Sequence, residues 1–103
     1  MFPSFLLVSM GIYDQIVVKI IKEQESIMGP IAWNEATKVE GIRVIDKSSF
    51  TVEIEKKNGN VIVDNLVHRF EKLFGRTARE VCKDAVSALV ADLKPSEIPS
   101  SLQ

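Results

Sequence analysis

Between residues 66 and 93 the chain reads as two helical patterns divided by a single glycine. In the second, Ala78, Val81, Cys82, Ala85, Val86, Leu89, Val90 and Leu93 recur at the three- and four-residue spacing that keeps one helix face dry. Thr77 followed by Glu80 has the form of a capping box and predicts a helix start at Thr77. The preceding stripe, Leu66, Val67, Phe70, Leu73 and Phe74, ends at Gly75, a residue type that accepts the backbone geometry found just past a helix. Two helices joined this tightly must pack together or turn sharply onto a common layer.

Upstream, Tyr13, Ile16, Val17, Ile20, Gln24 and Ile27 mark one face of a helix over 12–28, and Val18 and Ile21 widen the stripe. That arc is broader than one packed neighbour covers. Gly29-Pro30 stops the helix, because proline lacks an amide donor and disfavours a helical residue before it. Proline also opens helices well, so a second one is predicted over 30–40, with Ala32, Trp33, Ala36 and Val39 on one side and Gly41 at its end.

From residue 42 to 63 the period shortens. Phe50, Val52 and Ile54 alternate with Thr51, Glu53 and Glu55, the pattern of a strand with one covered and one wet face. Residues 42–45 read as a second strand, turning through Asp46-Lys47-Ser48-Ser49. Asn58-Gly59 suits a two-residue hairpin, which would pair Lys56 with Val61 and Ile54 with Val63. The rival is a long helix from Asn60; the β-branched run Val61-Ile62-Val63 favours the hairpin. The fold expected is α+β: two N-terminal helices, a small antiparallel sheet of two or three strands and two C-terminal helices in a single compact domain.

The domain spans residues 11–93. Residues 1–10, MFPSFLLVSM, are too short to span a bilayer, which needs about 20 residues, and lack the leading charge of a secretory signal. They read either as an apolar arm or as an upstream extension ahead of a start at Met10. Residues 94–103, with two prolines and three serines, read as a flexible tail. A chain of 103 residues, 46% of them hydrophobic, supports one core and leaves apolar surface for a second subunit.

The net charge of −1 conceals an asymmetry: residues 56–83 hold seven Lys or Arg against three Asp or Glu, and the remainder six against eleven. Arg69, Lys72, Arg76, Arg79 and Lys83 form the best candidate for anion or nucleic-acid contact, although Glu71, Glu80 and Asp84 interrupt the stripe. A solvated surface is the simpler account.

The chemistry is sparse. His68 and Cys82 are the only soft metal ligands, fewer than a structural zinc site requires, and Cys82 lies on an apolar face where it packs as a small hydrophobe. The glycines are scattered singly, so no phosphate loop or dinucleotide fingerprint is present. No catalytic residue, metal or cofactor is expected. With one cysteine there is no internal disulfide, which suits a reducing, cytoplasmic setting. The reading is a small non-catalytic protein-interaction or regulatory module that self-associates, with Val18, Ile21 and Trp33 as candidate interface residues. The alternative is a weakly basic nucleic-acid-binding module.

Overall fold

The computed structural model describes residues 11–46, 48–49, 51–55 and 58–103. Helix α1, Ile12–Met28, occupies the predicted span. At its start the Asp14 carboxylate accepts from the Gly11 amide at 3.1 Å, satisfying one of the donors a helix N-terminus leaves open. Its inner face buries Ile16, Val17, Ile20, Ile21 and Gln24. Gly29 ends it at φ 82° and ψ −165°, a conformation essentially restricted to glycine, and donates its amide to the Glu25 carbonyl at 2.8 Å. Pro30 opens the short helix α2, Ile31–Thr37, which buries Ala32, Trp33 and Ala36 as its spacing predicts.

Strands β1, Ile42–Asp46, and β2, Thr51–Ile54, pair antiparallel with Ile42 opposite Ile54 and Val44 opposite Val52. The register shifts between Val44 and Asp46, a bulge close to the turn. The Asp46 carboxylate organises that turn by accepting from the Ser48 amide at 3.0 Å. The predicted alternation holds: Val52 and Ile54 are buried, Glu53 and Glu55 exposed. Phe50 and Lys56 of the expected pattern lie outside the described residues. Asp14 also accepts from the Ile54 amide at 3.3 Å, so a single carboxylate caps α1 and occupies part of the sheet's outer edge.

The expected Asn58-Gly59 hairpin does not form. Residues Gly59–Phe74 are one helix, α3, and among the described residues the sheet has two strands. The physical reason is that Ile62 and Val63 sit four and three residues before Leu66, extending the stripe of Leu66, Val67 and Phe70 back by one turn. All of these are buried, whereas Val61, which a hairpin would have covered, is exposed. Full burial of one such side chain is worth about 1.5–3 kcal/mol, several times the helix-propensity cost of β-branching, which is at most about 0.7 kcal/mol per residue. Gly59 is needed for another reason: a Cβ there would run into the Tyr13 ring, so α3 begins against α1 at a distance only glycine permits.

Helix α4, Arg76–Val90, follows after Gly75 alone. It starts one residue before the predicted Thr77, whose side chain makes no cap hydrogen bond; Gly75, at φ 85° and ψ −175°, is the residue at the junction of both helices. Helix α4 packs mainly on α1 and α3, burying Ala78, Cys82 and Val86.

Residues 94–103 are also not the loose tail that their composition suggests. They form two 3-10 turns, Pro95–Glu97 and Ser100–Leu102, the second lying against α3 and α4 with Ser101 and Leu102 buried. The Tyr13 hydroxyl donates to the Glu97 carbonyl at 2.7 Å, Arg79 Nε donates to the Ser101 carbonyl at 3.0 Å, and the Asp64 carboxylate accepts from the Ser100 and Ser101 amides at 3.2 and 2.9 Å. These partners are far away in sequence, so no local periodicity announces them.

Candidate functional site

The structure divides the predicted interface residues. Ile21 and Trp33 are 0% and 1% exposed in one chain and belong to its core. Val18 is partly buried and packs against the same cluster. The breadth of the α1 stripe is explained within the monomer, because α2, α3, α4 and β2 all pack on that helix. Ile21 and Trp33 therefore offer no outward surface.

The basic series is divided as well. Arg69 donates through Nε to Glu35 at 2.8 Å, bridging α3 to α2, and Lys38 joins the same carboxylate at 3.3 Å. Glu35 is buried, and the Arg69 hydrogen bond foremost, with Lys38 assisting, outweighs that burial and holds its carboxyl below the ordinary value. Arg79 is occupied by the Ser101 carbonyl and lies 3.9 Å from Glu71. Lys72 and Arg76 are exposed and Lys83 is half-buried, so the five residues do not act as one continuous stripe. Lys72, Arg69 and His68 line a shallow depression with Lys38, Val39, Glu40 and Asn65, where Glu40 dilutes the positive charge.

His68 and Cys82 do not form a pair. His68 is exposed on α3, whereas Cys82 is fully buried between α4 and α1. Gln24, itself 1% exposed, donates through Nε2 to the Ala78 carbonyl at 3.1 Å and to Cys82 Sγ at 3.3 Å. Burial pushes the Cys82 thiol up to about 11, opposed by the Gln24 hydrogen bond and aided by the charge of Glu71. The sulfur is thus a protonated, inaccessible packing group at neutral pH. Among the described residues no group of three or more His, Cys, Asp or Glu is placed to hold a metal ion. No helix among them is long and apolar enough to cross a membrane.

What the structure does bring together is a set of apolar side chains at one end of the molecule. The Gln24 to Ala78 hydrogen bond sets the last turns of α1 beside the first turn of α4, and the Arg69–Glu35 pair sets α3 against α2 one turn before Leu73. The two glycine corners, Gly29 and Gly75, consequently share an end. Around them Ile27 is 63% exposed, Ile31 46%, Leu73 48% and Phe74 45%. A Cβ at Gly29 or Gly75 would meet nothing within 4 Å, so both corners face open space. Of the six large apolar residues exposed among the described ones, these four lie next to the glycine corners in the chain, and the other two, Ile45 and Val61, lie at the sheet end.

The sequence held part of this signal. Ile27, Leu73 and Phe74 were counted on the inward stripes of their helices, but an apolar residue in the last turn before a glycine corner has no neighbour beyond it. Ile31 lies two residues from Trp33 and so on the opposite side of α2. Compared with protein families, with curated proteins and with solved structures, the chain finds no match.

Proposed function

We propose that this protein is a small non-catalytic interaction module that self-associates as a two-fold dimer through the corner at Gly29 and Gly75. The observation that carries the reading is the exposure of Ile27, Ile31, Leu73 and Phe74 beside the two glycine corners, four of the six large apolar residues exposed among the described ones. A two-fold contact sets a patch against its own copy, so its rim must be self-complementary. Lys72 and Arg76 adjoin Leu73, Phe74 and Gly75 in the chain and Glu25 lies two residues before Ile27, so the proposed face has charges of both signs available for pairing with a second copy. The proposal places the module in the cytoplasm, since one buried thiol needs no oxidising compartment.

Sedimentation equilibrium at micromolar concentration tests it. The wild-type chain is expected to sediment as a dimer, and Ile27→Glu and Phe74→Glu as monomers with unchanged helical content, because a charge at the centre of an apolar contact must be desolvated. Val18→Glu is expected to lower the stability of the monomer instead of dividing the dimer selectively. A wild-type monomer, or dimers that survive both corner substitutions, would refute the reading.

A further inference from the structure

The second 3-10 turn is held in the manner of a bound peptide. The Asp64 carboxylate on α3 receives the amides of Ser100 and Ser101 together with both their hydroxyls, the Ser100 hydroxyl at 3.0 Å. Arg79 on α4 reads the Ser101 carbonyl, and Leu102 enters the apolar space between the two helices, 5% exposed. Asp64 is pushed upward by its partial burial, but the hydrogen bonds of Ser101 and then Ser100 outweigh this and hold the carboxyl below its ordinary value. Hydroxyls at two consecutive positions followed by a large apolar residue are a specific requirement. A carboxylate left here without those donors would be a partly buried charge lacking partners.

We infer that the groove between α3 and α4 is a recognition site for a Pro-Ser-Ser-Leu segment, filled in this structure by residues 99–102 of the same chain, and that the matching segment of a second copy exchanges into it. Exchange creates no new contact and loses none, since the incoming segment is chemically identical; this is what makes segment swapping inexpensive in free energy. The cis segment has the advantage of a short connection from α4, which gives it a high effective concentration. Occupancy in trans therefore rises when the cis contact is weakened or the protein is concentrated. The site uses Asp64, Arg79 and the α3–α4 groove, not the corner residues, so it stands or falls independently of the dimer face.

The test uses the full chain carrying Leu102→Asp, which weakens the cis segment and leaves the groove intact, with a fluorescein-labelled peptide of residues 94–103 followed by anisotropy. Saturable binding is expected, at least tenfold tighter than to the wild-type chain, whose own segment competes. Adding Asp64→Asn to the Leu102→Asp chain is expected to weaken binding at least tenfold, as is replacing both peptide serines by alanine. Phe74→Glu should leave peptide affinity within twofold. For exchange between copies, chains with Leu102→Asp and chains with Asp64→Asn, each also carrying Phe74→Glu, are expected to form a mixed pair that neither forms alone. If circular dichroism shows that Leu102→Asp does not fold, the Ser100→Ala, Ser101→Ala chain takes its place. Absence of saturable binding by a folded chain with a weakened segment, or binding indifferent to Asp64→Asn, overturns the site; absence of the mixed pair overturns the exchange.

Discussion

The two ends of the molecule are finished differently. At the end that holds the sheet, side chains tie down what the helices and strands leave loose. Asp14 takes the Gly11 and Ile54 amides, Tyr13 takes the Glu97 carbonyl, and Asp64 gathers Ser100 and Ser101. At the other end, the two helix pairs turn through Gly29 and Gly75, where a Cβ would meet no described residue within 4 Å, and Ile27, Ile31, Leu73 and Phe74 are exposed. One end is tied by long-range polar contacts, and the other carries four exposed apolar side chains. The difference lies in the polar ties, since large apolar groups are exposed at both ends: Ile45 and Val61, 54% and 49% exposed, lie at the sheet end, against four at the glycine corners. The open end is the surface to which the proposal assigns self-association.

The largest effect is expected where both ends depend on a common core. Trp33→Ala removes a fully buried ring between them and should cost about 3–5 kcal/mol, read as a lower urea midpoint and a loss of dimer as a secondary consequence. Gly75→Ala tests the open end without adding a clash, since only the backbone conformation resists it. Its cost should be about 2 kcal/mol, the middle of the range for a residue forced into such a conformation; a neutral result would mean the corner relaxes freely. Asp64→Asn tests the closed end. It should cost about 1.5 kcal/mol, a typical loss for hydrogen bonds to a charged group, and should speed proteolysis within residues 94–103 while sparing the corner.

The pH dependence separates the same regions. Asp64 and Glu35 are both held below their ordinary values of 3.8 and 4.5, so their stabilisation is present above those values and lost as the pH falls through the lower folded-state ones. Acid unfolding of the Asp64→Asn chain should accordingly lack the component that Asp64 contributes. Cys82 has the opposite sign: its thiol is raised from 9.0 to about 11, so its contribution is complete below pH 9 and declines as the pH rises toward 11. Alkylation of Cys82 at pH 8 should then be limited by opening of the α1–α4 contact, and a thiol modified at the rate of an unfolded chain would contradict its burial. The smallest effect on the monomer is expected for Ile27→Ser, within about 0.5 kcal/mol as for other surface positions, although the same change should weaken association.

The helices 12–28 and 76–90 were legible because each buries one continuous face, and Val52 and Ile54 betrayed their strand by alternating with exposed glutamates. The boundary at 58–63 was misread because Asn58-Gly59 is an apt turn in isolation. What decides it is tertiary: Ile62 and Val63 complete a buried helical stripe, and Gly59 fits beneath Tyr13. Residues 94–103 escaped the sequence because their anchors, Tyr13, Asp64 and Arg79, lie on three different helices. The burial of Ile21 escaped the sequence for a related reason. Val18 and Ile21 read as surplus apolar surface on α1, but how many elements surround that helix is set by the packing and not by the stripe itself.

Amide hydrogen exchange on the wild-type chain, compared between submicromolar and high micromolar concentration, addresses the contrast between the two ends most directly. If the open end is the self-association face, protection should rise with concentration over 26–32 and 72–77 and stay constant over 11–14 and 51–55, because only amides near the dimer contact gain protection on assembly. Protection that does not change with concentration at 26–32 and 72–77, or that rises at the sheet end instead, would contradict the account.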